Sequence, residues 1–126
     1  VIRGIRGATT VDHNEAAEII ARSQALIEDI IHDNHVEAEN VASVMFSATV
    51  DIDAAFPAKA LRHVPGWTYV PVMCMQEIPV PDSLPLCIRV MVTVETELDQ
   101  PEVRHIYHHN AKQLRPDLNA GRGGSS

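Results

Sequence analysis

Apolar and polar positions follow two different periods along the chain. From Ala16 onward, apolar residues recur at Ala16, Ile19, Ile20, Leu26, Ile27, Ile30 and Ile31, a spacing that lays one stripe along an α-helix. Asp12 followed by Glu15 predicts a capping-box-like start, and Asn34 a stop. Cys87–Thr96 has period two instead. Ile88, Val90, Val92 and Val94 fall on one face, and Cys87, Arg89, Met91 and Thr93 on the other, as in a half-buried strand. Val1–Thr9 reads as a strand punctuated by Gly4 and Gly7, Val41–Ala48 as a buried strand, and Tyr69–Met75 as a strand in which Pro71 points to an edge or a bulge. Phe56-Pro57 opens a short helix completed by Ala58–His63. Gln100–Arg104 suits one helical turn and His105–His108 a last short strand. The fold class is therefore α+β: a mixed sheet of α/β type with one long helix. A chain of 126 residues predicts a single domain, placed at residues 1–118, with a Gly/Ser-rich tail over 119–126 expected to be disordered.

Charge narrows the function. A net charge of −7 argues against a nucleic-acid partner, which needs a basic surface. There is no secretory signal and no apolar run of membrane-spanning length. The expectation is a cytoplasmic protein without a membrane partner, its two cysteines, Cys74 and Cys87, free thiols. Eight of the ten basic residues are Arg. Arg presents a permanently charged fork that matches carboxylates, so the bias is as compatible with a local anion site as with ordinary surface ion pairs.

Arg89 sits mid-strand in an apolar segment, and a guanidinium cannot be buried without a partner. It reaches a ligand, solvent, or an acid such as Glu77 or Glu95. Arg6 lies between Gly4 and Gly7, which would leave room beside it for a ligand; an edge-strand Arg in water fits slightly better. Arg3, three residues earlier, falls on the opposite face of a regular strand. Glu77 follows a strand end, where site residues often sit, although taken by itself it reads better as a solvated loop carboxylate. His105, His108 and His109 invite a metal reading, but no zinc spacing is present. Neither Cys lies in a recognisable nucleophile signature, and there is no P-loop or dinucleotide fingerprint.

The blocks Ile2-Arg3-Gly4-Ile5-Arg6-Gly7-Ala8-Thr9, Ser47-Ala48-Thr49, Phe56-Pro57-Ala58-Lys59-Ala60 with Arg62, and Gly66-Trp67 occur in order. They are followed by Tyr69-Val70-Pro71-Val72, Cys74-Met75-Gln76-Glu77, Cys87-Ile88-Arg89-Val90-Met91, Arg104-His105-Ile106-Tyr107 and Leu114-Arg115-Pro116-Asp117-Leu118. Together they resemble the monofunctional, trimeric, AroH-class chorismate mutases over nearly the whole chain. The resemblance implies a pseudo-α/β-barrel homotrimer with active sites in clefts between subunits. It implies rearrangement of chorismate to prephenate, in phenylalanine and tyrosine biosynthesis, with no cofactor and no metal.

It also implies residue roles. Arg89 donates to the breaking ether oxygen. Glu77 accepts from the ring hydroxyl, with Cys74 nearby. Arg6 and Tyr107 hold a carboxylate. Phe56 and Leu114 wall the pocket, and Lys59, Arg62 and Arg115 line its mouth. Met73 stands where the family often has a polar residue, so a contact there would be through main chain. Two other readings remain open on sequence: imine hydrolysis, as in a distantly similar deaminase family on a trimeric scaffold, and a non-catalytic module that binds a dicarboxylate.

Overall fold

The computed structural model describes residues 1–114; Arg115 and the tail over 119–126 lie outside the described residues. Five strands form one mixed sheet: β1 (Ile2–Thr10), β2 (Val41–Ala48), β3 (Val72–Gln76), β4 (Cys87–Glu95) and β5 (Ile106–Tyr107), in the order β3-β2-β4-β1-β5. β4 runs antiparallel to both β1 and β2, while β3 and β5 add parallel at the edges. One helix, α1 (Ala16–Asn34), packs across one face.

The period-two pattern of β4 is what seats that helix. Ile88, Val90, Val92 and Val94 are buried and meet Ile5 from β1, Val44 and Phe46 from β2, and the α1 stripe of Ile19, Leu26, Ile27 and Ile30. These α1 side chains are fully buried, and each such aliphatic contributes roughly 1.5–3 kcal/mol by leaving water. Gly7 belongs to this helix-side packing: a Cβ there would lie 2.9 Å from Ile30 Cδ1 and 3.1 Å from Val90 Cγ1. Its missing side chain makes room for the helix rather than for a ligand.

Several boundaries differ from the expectation. The helix start is not capped by Asp12 with Glu15. Glu15 is the N-cap without a side-chain bond, and Glu18 instead accepts the N–H groups of Asp12 (2.6 Å) and His13 (3.1 Å). The helix ends at Asn34 because His35 turns left-handed (φ 53°), and Val36 N–H then reaches the Ile31 carbonyl at 3.0 Å. Asn34 is buried and ties the helix end to the Arg104 backbone through both its oxygen and its nitrogen. Pro71 stands just before β3, where its carbonyl accepts from Val44 N–H, and β3 is an edge strand. β5 is shorter than expected, and Pro57–His63 is a 3-10 helix. Both thiols are free.

The opposite sheet face is open. Met45, Met73, Met75 and Met91 are all exposed there, each on the face opposite the helix by strand alternation.

Candidate active site

Strand register draws distant residues into one line across this open face. Met75 pairs with Ser47, Ser47 with Arg89, Arg89 with Ala8, and Ala8 with Tyr107. One transverse row thus crosses all five strands with Arg89 at its centre. One row over, Arg6 pairs with Met91 and Met91 with Met45. A cleft of about 380 Å³ opens above these rows, lined by Arg6, Met45, Ser47, Met75, Arg89, Tyr107 and Leu114 among others. Arg6 and Arg89 therefore share a cavity, as a dianionic ligand would require.

Glu77 is Arg89's partner. Its Oε2 lies 3.2 Å from Arg89 Nε and accepts the Ser47 hydroxyl. Glu95, the other candidate acid, pairs with the N-terminal amine of Val1. Position explains the choice. Glu77 is the first residue past β3, its N–H bonded to the Ala48 carbonyl at 2.9 Å, and this carries the β2–β3 pairing just past the central row. The Arg89 side chain is still 47 % exposed, so the pair sits at a wet cleft rather than in the core. Arg6 is half-buried, and its backbone N–H donates to His105 Nδ1 at 2.9 Å. That bond assigns the His105 proton to Nε2 in the neutral ring. Desolvation, with Arg6 adding to it, holds the His105 ring below the usual imidazole range. Arg3, on the other side of β1, donates to the Leu98 carbonyl and takes no part in the cleft.

The remaining expected residues line adjoining depressions. Phe56, Lys59 and Cys74 line a second one of about 510 Å³ at the β3 edge, which shares Ser47 and Met75 with the cleft. Phe56, Lys59 and Arg62 line a third. Cys74 pairs with buried Phe46 and so faces the helix side, away from Arg89; burial pushes its thiol up. Phe56 is 66 % exposed, a large aromatic left in water. Met73 is exposed one row from Met75. Arg115 lies outside the described residues.

The histidine cluster has other employment. His108 Nε2 is 2.7 Å from Asp29 Oδ2, and His105 is committed to Arg6. Among the described residues, the side chains close enough to share an ion are His13, Glu15 and Glu18. Of these, Glu18 is already occupied by two N–H groups and by Arg22. The residue that sequence reasoning passed over is Ser47. Its signal was a hydroxyl at the end of an apolar strand, on the face that alternation leaves open.

Comparison with known proteins follows the same lines. Residues 2–118 match the family described as chorismate mutase type I. The chain is 51 % identical over 118 residues to chorismate mutase AroH of Bacillus subtilis (strain 168), covering 94 % of this chain and 93 % of that protein. It is 40 % identical over 119 residues to chorismate mutase AroH of Thermus thermophilus, covering 94 % and 97 %. A solved chorismate mutase from Clostridium thermocellum superposes with a TM-score of 0.86 at 47 % identity, covering 89 % of this chain and 99 % of that one.

Proposed function

The chain belongs to the type I chorismate mutases and is an isomerase that converts chorismate to prephenate; from that premise we propose that it works as a trimer. Each active site then joins the Arg6–Arg89 cleft of one protomer to the Phe56–Lys59–Arg62 surface of the next. Chorismate carries two carboxylates, a ring hydroxyl and an enolpyruvyl ether. Its rearrangement breaks the ether C–O bond and forms a C–C bond in one concerted step, so no proton transfer and no nucleophile are required. What the protein must supply is a compact, chair-like substrate conformer and charges fixed where charge develops.

Arg89 then donates to the ether oxygen, which gains negative charge as the bond lengthens. The Glu77 contact uses Nε and leaves the amino groups of the guanidinium for the substrate. Glu77 accepts from the ring hydroxyl and offsets positive charge on the ring fragment. Arg6 and Tyr107 hold a carboxylate, and Leu114 closes the apolar wall. Lys59, Arg62 and Phe56 complete the pocket from the neighbour, with Cys74 behind them.

The single observation that carries this reading is the cleft shared by Arg6 and Arg89 over an exposed, methionine-covered sheet face. Exposed apolar patches of that kind mark association surfaces. Following chorismate absorbance and identifying prephenate tests the proposed cleft when Arg89 is varied. Arg89→Ala loses roughly 10²–10³-fold in kcat, the cost of removing one preorganised donor. Arg89→Lys, which lacks the planar fork, recovers little of it. Both remain folded at the wild-type size. A near-normal rate in either variant rejects the role given to Arg89.

A further inference from the structure

The contacts of Glu77 are one-sided. The Ser47 hydroxyl and Arg89 Nε both converge on Oε2, and among the described residues no hydrogen bond reaches Oε1. The geometry points to Ser47 as a positioning residue for the rearrangement: it ties down one carboxylate oxygen of Glu77 so that the other is presented to the substrate's ring hydroxyl.

Three features support this assignment. Ser47 sits in the central row, directly between Met75 of the β3 edge and Arg89, so its hydroxyl reaches the same carboxylate oxygen beside the guanidinium. Glu77 lies past the last strand residue, with only its backbone N–H fixed by Ala48. A glutamate has three rotatable side-chain bonds, and one ion pair to a half-exposed Arg would leave the carboxylate free to swivel. A hydroxyl donor is also the right chemical choice, because it fixes an oxygen without adding charge. A second cation here would compete with Arg89 and weaken the negative charge that Glu77 brings to the ring fragment.

The assignment rests on the roles proposed above for Arg89 and Glu77, so its test needs a separate control. Steady-state kinetics on Ser47→Ala, Ser47→Thr, Glu77→Ala and the Ser47→Ala/Glu77→Ala double variant supply it, with size and thermal midpoint matched to wild type. Ser47→Ala lowers kcat by about tenfold to a hundredfold, the scale of one hydrogen bond to a charged group, and leaves KM nearly unchanged. Ser47→Thr, which keeps the hydroxyl, recovers most of the loss. In the Glu77→Ala background, Ser47→Ala has no further effect, since the group it holds is gone.

An unchanged kcat in Ser47→Ala overturns the assignment. So does a folded Ser47→Thr as slow as the alanine variant, or a Ser47→Ala loss of the same size in both backgrounds. If Arg89→Ala also keeps its rate, the reading of the whole cleft fails. If Arg89→Ala is inactive, only the role of Ser47 does.

Discussion

Arg89 and Gly7 face opposite sides of neighbouring strands, and each is held to its identity by what lies on that side. In its proposed role Arg89 needs a fork, serving Glu77 through Nε while its amino groups remain for a ligand. Gly7 needs no side chain at all. Gly7→Ala pushes a methyl against Ile30, Val90 and Leu26, and overpacking of this kind costs roughly 1–3 kcal/mol, to be read from denaturant midpoints. Activity per folded molecule should change little, because the added methyl points away from the cleft. Histidine titration should matter equally little to catalysis. His105, the imidazole bonded at the cleft, is held below its usual range first by desolvation and then by Arg6, so it stays neutral through the neutral range. A pH profile of kcat/KM is predicted to be flat from about pH 6.5 to 8; a steep limb there would assign a proton transfer to the reaction. At this scale the sequence was legible in part. Arg6, Arg89 and Glu77 stood out as charges in apolar or strand-end settings. Ser47 did not, because a hydroxyl in a strand is unremarkable until register puts it beside an acid from another strand.

Element ends show how local rules compete. The long helix and β4 were readable because burial on one face imposes a period that survives from sequence to fold. The helix start was misassigned because two carboxylates sit within the first turn's reach, Glu15 and Glu18, and only geometry selects Glu18. Its carboxyl is held below the usual carboxylate range, chiefly by the Asp12 N–H, with the His13 N–H and Arg22 adding to it. A group whose pKa falls on folding stabilises above its unfolded value, near 4.3, and loses that effect as pH drops through the folded value. Glu18→Gln should therefore lower the thermal midpoint at pH 7, with the gap to wild type closing below about pH 4. The other end carries the opposite lesson. His35 occupies a left-handed backbone (φ 53°) that Gly adopts without cost. His35→Gly should raise stability by about 1 kcal/mol, measured by denaturant unfolding.

On the scale of the whole molecule, two facts belong together. One sheet face is sealed by α1, while the other leaves four methionines in water around a pair of arginines. The residues that the family resemblance marked as one site fall into two groups, Arg6–Glu77–Arg89–Tyr107–Leu114 and Phe56–Lys59–Arg62–Cys74. Strand alternation in the sequence revealed the sealed face. It could not reveal that the second group lines depressions adjoining the first, which depends on how the β2–β3 connection wraps the edge. The proposed closed ring of protomers would bring the two groups together, the first of one chain meeting the second of its neighbour. Subunit mixing tests this most directly. Arg89→Ala and Arg62→Ala trimers are each nearly inactive on this account. Unfolded together in equal amounts and refolded, they should regain roughly a quarter of wild-type activity, the share of interfaces at which both halves are intact under random assortment. Mixed preparations no more active than their parents, or an Arg62→Ala enzyme that is fully active alone, would contradict a site shared between chains.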